Sequence, residues 1–292
     1  MSVLAGSRMN PKKFAASQIK YYIILIIIAL VMLLPLIYIV NHAFKPLDEL
    51  FAFPPKFLVQ KPTFENFIRL FKAGSTTIIP MSVYLLNSII VTLITVVLNL
   101  LITVCAAYAL SKKKYKFTGK LVSINQTALM FCSTVVAFPT YLVISKIGLA
   151  NTFFANIIPL IAMPVGLFLV KQFMDQVPND LIEAASVEGA NDLKIIMKII
   201  IPMVKPSLAT VGILTFQAVW NNTSTSTLYI TNEKLKTFAY YLNTLTMSTT
   251  GNTIVGVGMQ AASTVIIFLP NLIIFLILQS QVMSTMAYSG IK

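Results

Sequence analysis

Residues able to do chemistry are scarce in this chain, and their spacing narrows what remains open to it. His42 is the single histidine and has no neighbouring set of metal-ligand spacing. Cys105 and Cys132 both fall within apolar stretches, where a thiol packs as a small hydrophobe, so no disulfide framework is indicated. No nucleophile stands beside a candidate base. A phosphate-cradling loop needs G-x-x-x-x-G-K-[ST], and the only Gly-Lys pair, Gly119-Lys120, lacks the upstream glycine. The chain is therefore expected to bind no cofactor and to catalyse nothing itself. What remains is amide and ring chemistry. Asn87, Asn99, Asn125, Gln126, Asn156, Gln217, Asn221 and Asn222 can exchange hydrogen bonds with the hydroxyls of a neutral solute, and Trp220 or Tyr229 can stack on a sugar ring. Of these, Asn87, Gln126, Gln217, Trp220 and Asn221 are the candidates for a solute pathway. Hydrogen bonding between helices is the competing use of the same side chains.

The elements that position them belong in a bilayer. Hydrophobic residues make up 57% of the chain and charged residues only 11%, which excludes an ordinary water-soluble domain. A spanning helix needs about 20 apolar residues, and a charge at its centre costs about 2.5 to 3.5 kcal/mol on insertion scales. Charge-free runs at 21–40, 83–110, 121–145, 149–170, 207–229 and 254–278 predict six spans and an all-α polytopic fold. The fifth is ambiguous, because Asn221 and Asn222 either begin a polar helical face or end the helix. No Asp, Glu, Lys, Arg or His lies inside the runs, which argues against proton or ion coupling through this chain.

Lysine and arginine are retained on the cytoplasmic side during insertion. Placing both termini inside puts Arg8, Lys12, Lys13, Lys20, the lysines of the 111–120 loop, Lys171, Lys194, Lys198, Lys205 and Lys292 there. The same snorkelling lysines, reaching anionic lipid headgroups, explain the +13 formal charge without nucleic acid. The expected organisation is a cytoplasmic segment 1–20, a membrane domain 21–283 and a cytoplasmic tail 284–292. Pro35, Pro139, Pro159, Pro164 and Pro270 interrupt the spans and are expected to kink them. Residues 42–80, rich in Pro and Phe, and a loop of Thr, Asn and Tyr at 230–253 are the surfaces for an extracellular partner.

The most informative stretch is 171–205, between the fourth and fifth spans. Asn179 or Asp180 can cap a short helix, with Asp180 and Glu183 at capping-box spacing. Gly189 then supplies an unconstrained turn, and Asn191 or Asp192 caps a second helix whose hydrogen bonding Pro202 limits. Such a hairpin is the shape of a rigid lever gripped by a cytosolic partner. An amphipathic hairpin resting on the membrane surface satisfies the same pattern.

The order Glu183, Ala184, Ala185, Gly189, Ile199, Ile201, Pro202 resembles the EAA loop of permease subunits in binding-protein-dependent ABC importers, with Ile201 where that family usually carries leucine. The FKPLDE stretch from Phe44 to Glu49, the run GLFLVKQFMDQVPNDLIEAA and the terminal MAYSGIK extend the likeness to carbohydrate-importer permeases of the MalG type, nearest the LplC/YtcP-like branch associated with oligosaccharide uptake in Gram-positive bacteria. This resemblance implies the type I importer permease fold. It implies as partners a second homologous permease, two ATPase subunits that carry ATP and Mg, and an extracellular solute-binding protein. It also implies that Glu183, Ala184, Ala185 and Gly189 sit in an ATPase groove, that Ile199 and Pro202 fix the return to the membrane, and that Ser289, Gly290, Ile291 and Lys292 reach the ATPase.

Overall fold

The structure is a computed structural model that describes residues 19–75, 79–113, 115–249 and 253–289, helical throughout with no strand among them. In lipid every backbone polar group must be satisfied within its own segment, so runs of β-branched residues that favour strands in water are driven into helices. Helix α1 (Ile19–Phe44) shows this in IKYYIILIII, and its residues are exposed around the whole circumference from Ile19 to Tyr38, with Ala43 buried near its end. A helix apolar on every side is a membrane span.

The chain forms two compact units. One takes residues 1–70 and 249–265. In it α1 is followed by α2 (Leu47–Leu50) and the start of α3 (Glu65–Ser75). The connection that the sequence marks as Pro- and Phe-rich is held by specific bonds. Asn66, 1% exposed, donates its amide to the carbonyls of Ala43 and Lys45 at 3.0 and 2.8 Å and so satisfies the end of α1. Lys45, equally buried, donates to the Lys56 carbonyl, and the Glu49 carboxylate accepts from the backbone N–H groups of Gln60 and Lys61. Those bonds, the Gln60 N–H foremost, hold the Glu49 carboxyl below the ordinary carboxylate range.

Gly258 touches this cap directly. A Cβ there would lie 2.5 Å from Asn66 Oδ1 and 2.8 Å from its Cγ, and Asn66 cannot retreat without releasing the α1 carbonyls. Gly258→Ala is expected to destabilise the fold by about 1–3 kcal/mol, the usual cost of overpacking, read as a lower unfolding temperature in detergent. An unchanged temperature would mean that the cap is dispensable.

The second unit takes residues 71–248 and 266–292. In chain order it holds α4 (Met81–Lys112), α5 (Thr118–Ala128), α6 (Ser133–Lys146), a 3₁₀ turn (Phe153–Asn156), α7 (Ile158–Ile161), α8 (Pro164–Asp175), α9 (Asn179–Val187), α10 (Asp192–Ile195), a π-helical segment (Ile196–Ile200), α11 (Ile201–Trp220), α12 (Ser224–Tyr229), a 3₁₀ turn (Glu233–Leu235), α13 (Phe238–Thr249) and most of α14 (Thr253–Ser289). Its main core gathers Val104, Ala107 and Tyr108 of α4, Val170 and Met174 of α8, and Ile195, Ile200, Val204 and Val211 of the α10–α11 run.

Among the described residues, four helices are long and apolar enough to cross a membrane: Ile19–Phe44, Met81–Lys112, Asp192–Trp220 and Gly256–Val282. The third and fourth expected spans are not straight helices but pairs, α5 with α6 bent by 115° and 153–161 with α8 bent by 42°. Pro164 accounts for the second bend. Its ring disfavours the helical region for Met163, which is extended, and Pro164 then opens α8 at a position that needs no N–H. Of the prolines expected to interrupt spans, Pro35, Pro139 and Pro270 sit inside continuous helices. The fifth span begins earlier and ends sooner than 207–229, running Asp192–Trp220, since Asn222 Oδ1 accepts from the N–H of Thr225 and starts a separate short helix. The 230–253 segment, expected as a loop, contains α13, whose buried Phe238, Ala239, Tyr241 and Leu242 have helical spacing.

Candidate functional site

The 179–202 hairpin is built by local rules that the sequence spells out. Pro178 is extended and precedes α9. Neither Asn179 nor Asp180 caps this helix through its side chain; Asn179 is its first residue, and its Oδ1 instead accepts from Lys112 Nζ at 3.1 Å. At the other end the chain closes a Schellman motif. The N–H of Ala190 donates to the Ala185 carbonyl at 2.9 Å and that of Gly189 to the Ser186 carbonyl at 3.0 Å, with Gly189 at φ +80°. Ala185 and Ala190 both pack against the main core, which is the apolar contact this motif usually carries.

The second arm starts at Asn191, whose Oδ1 accepts from the Lys194 N–H at 2.9 Å. It does not stop at Pro202. Proline has no N–H, and its ring crowds the carbonyl four residues back. The ladder widens instead, the N–H of Ile201 reaching the Ile196 carbonyl five residues back, and the helix continues as one span. Ile199 is half-buried in this wide turn, and Pro202 is exposed just beyond it. The hairpin is thus continuous with a membrane helix and packed on α4 and α8 through Ile195, Ile196 and Ile200, with Ile182 and Ala185 behind them.

Its outer face is bare. Glu183, Ala184 and Gly189 are exposed, as are Leu181, Val187, Leu193 and Met197. Val187 is 89% exposed and Leu193 67%. Apolar side chains in that setting mark a contact surface. Ser289 ends α14, whereas Gly290, Ile291 and Lys292 lie outside the described residues.

Sequence reasoning missed the residues that hold the hairpin in place. The last turns of α4, legible only as a basic stretch, grip all three neighbouring segments. Ser111 bonds Asp175 at the end of α8. Lys112 donates to the Val177 carbonyl at 2.5 Å as well as to Asn179. Tyr108 Oη and Lys113 Nζ both donate to Asp192 Oδ1, at 2.9 and 2.7 Å. The bond to Asp192 raises the Lys113 ammonium above the ordinary lysine value.

The pathway candidates do not converge on one cluster. Asn87 of α4 donates to the carbonyls of Lys234 and Lys236 at 2.8 and 3.0 Å. Asn99, fully buried, donates to the Ile161 carbonyl at 2.5 Å and accepts from Thr215 at 3.0 Å. Asn125 donates to the Pro164 carbonyl and Asn156 to that of Leu235. Trp220 is buried, stacked on Phe216 at 5.8 Å, and donates its indole N–H to the Ile267 carbonyl at 3.1 Å, while Asn221 accepts from Asn271. These amides tie helices together. Gln126 is exposed and Gln217 half-buried, and neither makes a side-chain hydrogen bond among the described residues. Between α4, α11 and α14 lies an apolar cavity of about 710 Å³ lined by Leu85, Ile89, Leu93, Phe216 and Ile273 among others. Among the described residues no group of His, Cys, Asp and Glu is placed to hold a metal.

Residues 104–283 match the family described as binding-protein-dependent transport system inner membrane component. The chain is 27% identical to the inner membrane ABC transporter permease protein YcjP of Escherichia coli, over 97% of this chain and all of that one. It is 30% identical to the polygalacturonan/rhamnogalacturonan transport system permease protein YtcP of Bacillus subtilis, over 72% and 71% of the two chains. Its fold is similar to that of a chain in the crystal structure of a bacterial ABC transporter involved in the import of the acidic polysaccharide alginate, with a TM-score of 0.75 and 23% identity over 92% of this chain and 99% of that one.

Proposed function

Because the chain belongs to the family of binding-protein-dependent transport system inner membrane components, we propose that its 179–202 hairpin is the element an ATPase subunit grips, and that its spans form half of a pathway for an oligosaccharide. The chain is a multi-pass membrane subunit of an ABC importer and is not itself catalytic, and membership brings an ATPase and a solute-binding protein as partners. The observation that carries the reading is the contrast between the hairpin's two faces. One is locked into a core of three helices, while Leu181, Glu183, Ala184, Val187 and Leu193 stand exposed.

In this reading Glu183, Ala184, Ala185 and Gly189 meet the ATPase, Ile199 and Pro202 carry the load into α11, and the tail at Ser289, Gly290, Ile291 and Lys292 reaches the same subunit. ATP and magnesium sit on two ATPase copies. Both termini face the cytoplasm, which puts the 230–253 segment outside, towards the binding protein. A second, related permease supplies the other half of the pathway, and the apolar cavity beside α4 suits a helix of that partner, since its walls offer the hydroxyls of a sugar few hydrogen-bond partners. Gln126 and Gln217 are the amides left to meet the cargo. The carbohydrate class rests on the resemblance to importers such as YtcP.

Gentle detergent purification is expected to retain a second permease and ATPase subunits, with hydrolysis rising several-fold on addition of glycan-loaded binding protein. Uptake that survives ATP depletion with the ion gradients clamped would instead identify a secondary transporter.

A further inference from the structure

Helix α4 differs from the other three long apolar helices in a simple way. Helix α1 contains Pro35, the Asp192–Trp220 run contains Pro202 and Pro206, and α14 contains Pro270. Met81–Lys112 contains neither proline nor glycine. Sharp bends in helices arise at those residues or at π turns, so α4 is the stiffest of the four, about 48 Å long at 1.5 Å per residue.

Both of its ends are clamped by polar bonds to segments far away in sequence. At the hairpin end Tyr108 and Lys113 share Asp192 Oδ1, and Lys112 holds Val177 and Asn179. At the opposite end Tyr84 Oη donates to Glu233 at 3.3 Å, Asn87 holds the carbonyls of Lys234 and Lys236, and Ser88 Oγ accepts from the N–H of Phe238 at 2.8 Å. The second clamp fixes a strap, 233–238, that leads directly into α13. Ser88 and Phe238 are almost fully buried, so the strap cannot shift without α4 or without leaving a buried N–H unsatisfied.

The two helices joined to the hairpin by the chain itself are less direct carriers of force. The span that ends in α8 is broken by the 42° bend before Pro164, and the α11 run is interrupted by its π turn. We propose that α4 is a coupling rod, its Tyr108–Asp192–Lys113 clamp taking up displacement of the hairpin and its Tyr84, Asn87 and Ser88 clamp delivering it to the 233–238 strap. This rests on the reading of the hairpin as the ATPase contact and of the strap as facing the binding protein. The rod then joins the two partner-binding surfaces of the subunit, and linkage requires the signal to run both ways. Tyr108, Asp192, Lys113 and Ser88 are positioning residues: none of them meets cargo or nucleotide.

Intermediate position alone does not establish coupling, and hydrogen exchange at both ends does. The native complex, purified with its co-purifying chains in nanodiscs, is compared with and without ATP and vanadate by mass spectrometry of the 179–195 and 231–243 peptides. In the wild type both peptides are expected to respond. In Tyr108→Phe combined with Lys113→Ala, the response at 179–195 persists and that at 231–243 falls at least threefold. Ser88→Ala is expected to do the same from the other end. Should the double variant fail to assemble, Tyr108→Phe alone removes a single oxygen and is expected to halve the distant response. A full response at 231–243 with the hairpin clamp opened overturns the rod and leaves the ATPase contact standing. No response at 179–195 in the wild type overturns both.

Discussion

Gly189→Asp is expected to cut retention of the ATPase subunits, and with it nucleotide-driven uptake, at least tenfold while the chain still inserts in the membrane. Nothing lies within 4 Å of a Cβ built on Gly189, so the effect does not come from a clash inside this chain. Two other costs combine. The backbone holds φ +80°, a region that costs an L residue about 1–2 kcal/mol, somewhat less for aspartate. The side chain and its charge then project from the exposed tip of the hairpin, where a partner surface closes. Gly189→Ala isolates the first cost and is expected to leave most of the retention, since one methyl group adds no charge. Co-purification of the ATPase, quantified by stained bands, separates the two variants. Equal, wild-type retention in both would remove the hairpin from the interface. Glu183→Lys, which inverts a charge on the same bare face, is expected to behave like the aspartate variant.

The largest stability effect is expected at Asn99. Asn99→Leu keeps the number and branching of heavy atoms but removes the donor to the Ile161 carbonyl and the acceptor for Thr215. That carbonyl is freed by the break before Pro164, and Asn99, fully buried, is its partner. A buried acceptor left without a donor costs about 1–3 kcal/mol, whereas Thr215 keeps a weak contact to the Met163 sulfur at 3.5 Å. Thr215→Val removes only the hydroxyl and is expected to cost less than half as much. The two are compared by thermal unfolding in detergent, and a Thr215→Val loss equal to that of Asn99→Leu would place the stabilisation in the side-chain pair rather than in the freed carbonyl.

Asn99 also shows where sequence reading reaches its end. Its presence in an apolar run announces a polar role, but the choice between solute and helix partner depends on Ile161, which lies 62 positions away. The long apolar helices were legible because insertion cost acts on each residue independently, and the Gly189 turn and Asn191 cap because both are local devices. The capping role read for Asn179 failed because Lys112, 67 positions away, claims the same oxygen. The 115° break between α5 and α6 carries no proline or glycine: Ala128 to Ser133 reads ALMFCS. There the choice is made by packing, Asn125 being drawn to the Pro164 carbonyl. The α4 clamps were hidden for the same reason, since a run of lysines at a span end reads first as a lipid-facing signal. Helix α13, by contrast, could have been found, as the apolar spacing of Phe238, Tyr241 and Leu242 is present in the chain.

The wide turn at Ile196–Ile200 fixes more than a hydrogen-bond pattern. In an ordinary ladder one additional residue rotates everything downstream by roughly 100° about the helix axis, and the wide turn takes that residue up within a single rotation. The stripe that α11 buries, Val204, Ser207, Val211, Thr215 and Val219, is therefore kept in phase with Ile195 and Ile196 by that widening. Closing an ordinary ladder over 196–200 at unchanged length would turn the whole stripe out of phase, presenting Met203 and Ala218 to the interior in its place, whereas deleting one residue there would restore the ladder with the stripe still in phase. The widening thus reconciles length with aim: an isoleucine there can be exchanged for another aliphatic side chain and the loss of one residue is absorbed by closing the turn, but a further residue inserted between Asn191 and Val204 re-aims the span.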